Sequence, residues 1–188
     1  MVDVLREEVY NAIRNTIDKM MHDRGFHKEE EDSNVYKSDT TGELVVCIAV
    51  KPDAGSPNAK VGIEIFKQIV LDMEKRDIHH AVIVTYTGMT SHVSETIRNM
   101  MNRNYIELFL FYEMMSSPVE HQSQPRFTKL SKEQRQEFID IYNIQNDIYE
   151  VPRMPITDRV ARHYDYKRGD IIVIERLQEN SVYYRIVA

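Results

Sequence analysis

The residues with the most direct chemical potential are two carboxylates and a lysine, Asp53, Glu64 and Lys67. Two carboxylates that hold a divalent ion, with a lysine beside the attacking water, are the parts of a metal-dependent nuclease. That chemistry needs one residue between the second carboxylate and the lysine on a strand, so that both side chains point to the same face. Glu64 and Lys67 have two residues between them and lie in a helical pattern. We therefore expect Asp53 in a turn and the other two on a solvated helix face, and we keep a nuclease-like DNA-binding protein as the alternative function.

Histidine and cysteine give little support to a metal site. Seven histidines are present, but the adjacent His79 and His80 would face opposite sides of a strand. Cys47 is the single cysteine, which excludes a cysteine-rich zinc site and indicates a reducing compartment. Nothing in the spacing suggests a nucleophile in an elbow-like turn with a His–Asp pair. The sequence predicts a non-catalytic protein with neither metal nor cofactor.

One predicted strand–turn–helix stretch, TYTGMTSHVSE, could contact a phosphate. Thr90, Ser91 and His92 stand at the start of its helix, where the first backbone N–H groups have no partner within the helix. The positive end of the helix dipole also attracts anions. The alternative is that Thr90 or Ser91 only caps the helix, and spacing alone favours that interpretation.

The charge of the chain changes sign near its C-terminal end. Residues 151–188 carry 7 Lys and Arg against 5 Asp and Glu, whereas the rest carries 17 against 25, within a formal net charge of −6. Opposite signs favour two modules with different partners. The basic segment alternates arginine with tyrosine, residue types that are enriched at protein–protein contacts and that also suit nucleic-acid backbones. The interspersed acids favour an acidic protein partner, and tyrosines in a core with a solvated charged rim remain the equally supported alternative.

Hydrophobic periodicity predicts mixed α and β structure in the N-terminal part, with at least part of its sheet parallel. The predicted elements are a helix on the stripe Leu5, Val9, Ile13, Ile17 and Met20 that stops at Gly25, two strands around a turn at Asp39–Gly42, a helix with Ile63, Phe66, Val70 and Met73 on one face, a strand in HHAVIVTYT, a helix with Val93, Ile97, Met100 and Met101 inward, and a strand in YIELFLFYE.

The C-terminal part begins after a change of composition. Residues 114–129 are rich in Ser, Pro and Gln, so we predict a linker there. Ser131 and Gln134 form a capping box at the start of a helix whose buried side is predicted to be Phe138, Ile141 and Tyr142. A short strand near residues 154–156, a two-turn helix from Asp158 and two strands joined at LQEN complete this part.

These C-terminal residues carry a resemblance to a known family. A dispersed pattern of LPRI, DPVA, a tyrosine, KRG, alternating aliphatics and a YR pair is typical of the assembly module of the fifth-largest subunit shared by eukaryotic nuclear RNA polymerases, and the archaeal counterpart of that polymerase component is similar to this module alone. The matching residues are Val151–Met154, Asp158–Ala161, Tyr164, Lys167–Gly169, Ile171–Ile174 and Tyr184–Arg185. The stretches IRNTIDKMMHDRGF, VGIEIFKQIVLDMEKR, AVIVTYTGMTS and LSKEQRQEFIDIYNI resemble further parts of the family.

The resemblance implies a fold of mixed class, α+β and α/β, with an N-terminal nuclease-like α/β jaw module over residues 1–115, a linker and connecting helix over 116–145, and a small α+β assembly module over 146–188. It also implies a non-catalytic subunit of a multisubunit DNA-directed RNA polymerase. Such a subunit docks on the largest subunit and contributes to the jaw around downstream double-stranded DNA, with no membrane and no small-molecule substrate as partner.

The resemblance also assigns expected site residues. Thr90, Ser91 and His92 would lie near DNA. The expected interface with the other polymerase subunits consists of Arg153, Asp158, Arg159, Arg162, Lys167, Arg168, Tyr184 and Arg185. Two residues depart from the family pattern, because Arg159 and Ser91 each replace a proline at a predicted helix start. The implied location is the nucleus for a cellular protein, and the host cytoplasm or virion for a divergent version encoded by a large DNA virus.

Overall fold

A computed structural model describes the backbone of residues 2–28, 30, 33–50, 60–120, 124–145, 150–176 and 178–188, and their side chains from Glu8 onward. The chain divides into two compact units, residues 1–116 and 117–188. Each unit has a hydrophobic core of its own. Nine strands and six helices are present in the described ranges, and none of these helices is long and apolar enough to cross a membrane.

The first unit contains a five-stranded sheet in the order β1-β2-β3-β4-β5. β1, β2 and β3 pair antiparallel, whereas β3, β4 and β5 pair parallel, which confirms the prediction of a partly parallel sheet. The elements in chain order are α1 (Val2–Asp23), β1 (Phe26–Lys28), β2 (Val35–Ser38), β3 (Leu44–Val50), α2 (Ile63–Lys75), β4 (His80–Thr85), α3 (Ser91–Met100), β5 (Tyr105–Leu110) and α4 (Phe111–Met114).

Helices cover both faces of this sheet. All six residues of β4 are buried, as expected for a central parallel strand. On one face Ala81 and Ile83 pack in a cluster with Phe66 of α2 and Val93 of α3. On the other face Val82 and Val84 share a cluster with residues of α1 and α4, namely Ile13, Ile17, Met20, Met21, Phe111 and Met114. The predicted apolar faces of the first three helices are therefore confirmed for most of their described residues, and Leu5 lies outside the described side chains.

Three details of the first unit differ from the predictions. The inward position predicted for Met101 is wrong, because α3 ends at Met100 and Met101 is 63% exposed. The strand predicted in YIELFLFYE ends at Leu110, where Phe111 enters the α1 cluster and α4 begins. The carboxylate of Glu113 accepts a hydrogen bond from the Leu110 backbone N–H at 2.7 Å and so stabilises this change of direction. The three-residue strand β1 was not predicted.

The second unit contains a four-stranded sheet in the order β6-β8-β9-β7. β6, β8 and β9 pair antiparallel, and β7 adds parallel to β9. The elements are β6 (Arg126–Lys129), α5 (Lys132–Tyr142), β7 (Arg153–Met154), α6 (Arg159–His163), β8 (Ile171–Arg176) and β9 (Ser181–Val187). The predicted short strand, short helix and final two strands are confirmed.

The two described helices of the second unit, α5 and α6, pack on opposite faces of its sheet. Phe138 of α5 forms a cluster with Ile171 and Ile186, while Val160 of α6 forms another with Ile172 and Val187. Adjacent residues of a strand point to opposite faces, so α5 and α6 must lie on different sides.

The start of α5 is as predicted, but its buried face is narrower. The Ser131 hydroxyl accepts a hydrogen bond from the Gln134 N–H at 3.2 Å, and the Gln134 side chain accepts one from the Ser131 N–H at 2.9 Å. Phe138 is buried, but Ile141 and Tyr142 are 76% and 59% exposed, so their predicted burial is wrong. The sequence predicts a linker over residues 114–129. In the structure, β6 forms within this range and Phe127 packs against the core of the second unit.

Candidate protein interface

The start of α6 is fixed by Asp158. Its carboxylate accepts a hydrogen bond from the Val160 N–H at 2.8 Å, which is the geometry of a helix N-cap. Arg159 is the first helical residue, and its side chain is exposed. A residue at this position has no helical partner for its N–H, which is why proline is favoured there. An arginine can therefore replace the proline of the family pattern while the cap and the helix remain.

The β8–β9 hairpin brings three further side chains to the same face of the sheet as α6. Tyr183 pairs with Ile174, and Arg185 pairs with Ile172, in the antiparallel register. Residues opposite each other share a face, and Arg176 lies two residues beyond Ile174, so it shares that face too. The Arg176 guanidinium lies 5.2 Å from the centre of the Tyr183 ring, a cation–π arrangement.

These side chains surround a groove of about 580 Å³ within the second unit, which we call the basic groove. Its apolar lining comes from Phe127, Met154, Val160 and Ile174, and its charged lining comes mainly from arginines. The described residues that line it are Pro118, Gln124, Pro125, Phe127, Met154, Asp158, Arg159, Val160, Ile174, Arg176, Tyr183 and Arg185.

The groove is positive because its three arginines outnumber its acids. Among the lining residues that the structure describes, the carboxylate is that of Asp158, and it is already hydrogen bonded to the backbone of α6. Arg185 donates from Nη1 to the Arg153 carbonyl at 3.2 Å, and no carboxylate in the described ranges lies within ion-pair distance of it. Arg176 pairs with Glu179 at 3.2 Å, but both side chains are about half exposed, so solvent screens this pair.

The structure brings together only some of the residues that the sequence singled out. Asp158, Arg159 and Arg185 line the basic groove, and Arg153 lies beside it through the contact with Arg185. Tyr184 lies on the other face of the sheet, where its ring is 4.5 Å from that of Phe138.

The remaining three expected interface residues lie outside the groove lining. Arg162 is half-buried on α6. Lys167 and Arg168 are exposed in the turn before β8, and the Lys167 ammonium bonds to Asp165 at 2.6 Å. The structure therefore divides the expected interface into the groove and separate surfaces.

The tyrosines of this unit divide between core and surface. Tyr166 is buried, its ring stacks on that of Tyr164 at 5.2 Å, and burial raises its pKa above the ordinary value. Tyr183 is 46% exposed at the groove. The core interpretation therefore holds for Tyr166, whereas Tyr183 lies at the surface and its contact with a partner stays a prediction.

In the first unit, the capping interpretation of the strand–turn–helix stretch is confirmed. Thr90 is the N-cap of α3, and its hydroxyl accepts a hydrogen bond from the Val93 N–H at 3.5 Å. Ser91 and His92 follow as the first two helical residues, and both are exposed. Their expected proximity to DNA stays a prediction.

The described part of the nuclease-like set consists of Glu64 and Lys67. Glu64 and Lys67 are exposed on α2, as expected for solvated helix residues, and Asp53 lies outside the described residues. Within the part of the chain that the structure describes, no group of three His, Cys, Asp or Glu side chains could hold a metal ion. His79 is exposed and His80 is buried, which confirms that the two point in opposite directions.

Sequence reasoning missed a buried ionic network around His80. Its Nε2 lies 2.9 Å from the Glu107 carboxylate, which also accepts two hydrogen bonds from Arg24, at 2.7 and 2.9 Å. Burial alone would raise the pKa of Glu107, but the His80 hydrogen bond and the Arg24 guanidinium outweigh it and lower that pKa to about 2. The network joins the turn after α1 to β4 and β5. Its connection of these elements explains the network, and we assign it no catalytic role.

The second unit is thus a small α+β domain whose exposed groove suits a macromolecular partner. Residues 117–187 match the model of the RNA polymerase Rpb5 C-terminal domain family. This match covers the second unit from its first residue to the end of β9.

Proteins that are similar to at least nine-tenths of the chain are also named as RNA polymerase subunits. It is 28% identical over 199 residues to DNA-directed RNA polymerases I, II, and III subunit RPABC1 of Caenorhabditis elegans, covering 93% of each protein. It is 23% identical over 192 residues to DNA-directed RNA polymerase subunit 5-like protein 1 of Arabidopsis thaliana, covering 92% of this chain and 90% of that protein. It is 26% identical over 187 residues to subunit rpabc1 of Dictyostelium discoideum, covering 90% of each. The second unit is thus similar to Rpb5 C-terminal domains, and the chain is similar to these polymerase subunits over at least nine-tenths of its length.

Proposed function

We propose that this protein is a non-catalytic subunit of a multisubunit DNA-directed RNA polymerase. The observation that carries the proposal is the family match over residues 117–187, which coincides with the second unit and includes every residue that lines the basic groove. Similarity over at least nine-tenths of the chain extends the relationship to the first unit as well. The hypothesis of a polymerase subunit accounts for both units of the chain, whereas the nuclease-like alternative does not.

In this proposal the second unit docks on the largest polymerase subunit. The interface includes Arg153, Asp158, Arg159, Arg162, Lys167, Arg168, Tyr184 and Arg185. The exposed arginines support this assignment, because guanidinium groups form planar, multidentate hydrogen bonds with carboxylates of a protein partner. Because these residues occupy more than one face of the sheet, the partner must contact the unit on several sides.

The first unit forms part of the jaw beside downstream double-stranded DNA. Thr90, Ser91 and His92 approach the DNA at the start of α3, where exposed Ser91 and His92 and the positive helix end suit a phosphate. Outside residues 151–188, acidic residues outnumber basic ones. This excess of negative charge fits a role in guiding DNA by shape, with tight binding of DNA supplied by other subunits. The protein acts where its polymerase acts, in the nucleus for a cellular polymerase or in the host cytoplasm or virion for a viral one.

Affinity purification from the native source tests this function. A tagged full-length chain should recover the largest polymerase subunit and other polymerase subunits, identified by mass spectrometry. Recovery of the chain as a monomer, with no polymerase subunit above the level of an untagged control, would contradict the proposal. Ser91→Glu and His92→Glu should leave this recovery unchanged and reduce contact of the assembled polymerase with downstream DNA, measured by crosslinking.

A further inference from the structure

We propose that the basic groove binds an acidic segment of the partner subunit that inserts one bulky apolar side chain between the arginines. This inference rests on the proposed function and adds to it the chemistry of the segment that is recognised and the place where it binds.

The apolar lining of the groove favours binding of an apolar side chain. Met154, Val160 and Ile174 belong to the core cluster under α6, and Phe127 is half-buried against the same cluster. These side chains form the bottom of a groove of about 580 Å³, which lies within the range of pockets that enclose drug-sized ligands, so it has room for part of a peptide segment as well as one inserted side chain. An inserted aliphatic or aromatic side chain would remove its own apolar surface and that of half-buried Phe127 from water, which favours binding.

The arginines at the rim of the groove favour binding of carboxylates. Arg159, Arg176 and Arg185 all line it, and the lining carboxylate, Asp158, is engaged by the Val160 N–H. Arg185 is the best placed of the three, because its contact with the Arg153 carbonyl holds it in position but leaves its charge uncompensated by any carboxylate in the described ranges. A carboxylate that reached Arg185 would form a charge-assisted, two-point hydrogen bond.

The same features favour a polypeptide over nucleic acid. A phosphate backbone presents charge at regular spacing and has no apolar group that would fill the bottom of the groove. Tyr183 could stack on an unpaired base, so single-stranded nucleic acid is the competing occupant that an experiment must distinguish.

Site-specific crosslinking within the assembled polymerase identifies the occupant. The full-length chain would carry p-benzoylphenylalanine in place of Tyr183, and the control chain would carry it in place of Lys132, which is exposed at the start of α5. We expect the chain modified at residue 183 to crosslink to a partner segment that contains at least two Asp or Glu and one bulky apolar residue. The Lys132 position should not crosslink to that segment. A crosslink from residue 183 to nucleic acid, or to a segment without this character, would overturn the proposal.

Charge reversal gives an independent readout. The double variant Arg159→Glu/Arg185→Glu should recover about tenfold less polymerase than the natural chain, because buried charge-pair interactions at interfaces are worth at least that factor. Lys132→Glu is the matched control and should recover as much as the natural chain, and circular dichroism should show that both variants are folded.

The outcomes separate the two proposals. Equal recovery by a folded double variant and the natural chain would overturn the groove proposal while the proposed function stands. If the natural chain recovers no polymerase, both proposals fail.

Discussion

The guanidinium of Arg24 donates two hydrogen bonds to the carboxylate of Glu107, at 2.7 and 2.9 Å, across a separation of 83 residues in the sequence. The two side chains are only 3% and 10% exposed. This buried pair connects the turn after α1 to the edge strand β5 of the first unit. Two charges held out of water must be paired with good geometry, so the position of the turn and that of the strand depend on each other.

Removing one partner of this pair should destabilise the first unit strongly. We expect Arg24→Met to lower the free energy of unfolding by about 3–5 kcal/mol, because Glu107 would remain buried without its main cation. The matched control is Arg76→Met, which breaks the exposed pair with Asp72, 3.2 Å apart with both side chains 45% exposed. That control should cost less than about 1 kcal/mol. Urea denaturation measures both, and similar losses for the two variants would contradict the proposed importance of burial.

The same pair predicts a dependence of stability on pH. The pKa of Glu107 is lowered from 4.5 to about 2 in the folded protein, so the folded state binds its proton less readily than the unfolded state. The resulting stabilisation, roughly 2–4 kcal/mol, is present above the unfolded pKa and is lost as the pH falls from about 5 towards 2.

Comparison with Glu107→Gln isolates this contribution. The variant should be less stable at pH 7, because Arg24 loses its charged partner, but its unfolding free energy should fall less than that of the natural chain between pH 6 and pH 3. Denaturant titrations at a series of pH values would measure the slopes. Parallel curves for the two proteins would show that Glu107 does not titrate as expected.

Two neighbouring apolar residues of α5 should differ sharply in their effect on stability. Phe138 is 8% exposed and packs on Tyr184, whereas Ile141 is 76% exposed. Phe138→Ala should cost about 3–5 kcal/mol through lost burial and a cavity. Ile141→Ala should change stability by less than about 0.5 kcal/mol. Thermal or chemical unfolding of the full chain would test this pair, and a large loss from Ile141→Ala would indicate that Ile141 is covered in solution.

The start of α6 allows stability and binding to be separated. Asp158→Ala removes the side-chain acceptor for the Val160 N–H and should cost about 1 kcal/mol. Arg159→Pro should preserve stability to within about 0.5 kcal/mol, because proline suits the first helical position. The proline variant should nevertheless recover less polymerase, since it removes a cation of the groove. A folded Arg159→Pro chain with undiminished recovery would argue against a binding role for Arg159.

Local patterns were sufficient to predict most regular elements. β4 is a run of buried aliphatic residues, and α2 repeats its buried residues at helical spacing, so each carries its own signal. The capping residues Thr90, Ser131 and Asp158 marked three helix starts correctly. β1 and β6 were missed because they have three and four residues and too few apolar positions to show alternation.

The site depended on relationships that a single sequence does not reveal. The basic groove forms because the β8–β9 register places Tyr183 opposite Ile174 and Arg185 opposite Ile172, on the side covered by α6. The sequence indicated arginines and tyrosines but could not assign them to faces. Ile141 has the spacing of a buried residue, yet it is 76% exposed, and Phe138 is the residue of α5 that packs with Ile171 and Ile186 of the sheet. The Arg24–Glu107 pair left no local trace.

β9 lies between β8 and β7 in the sheet of the second unit. During translation, β7 and β8 are synthesised before β9, the strand that pairs with both of them. Val187 then pairs with Met154, and the Gly169 N–H bonds to the Val187 carbonyl at 2.8 Å, so the last strand closes contacts made with residues synthesised well before it. The second unit should accordingly fold only once β9 has been released, and nascent chains stalled before Ser181 should expose the apolar residues of β8 to chaperones.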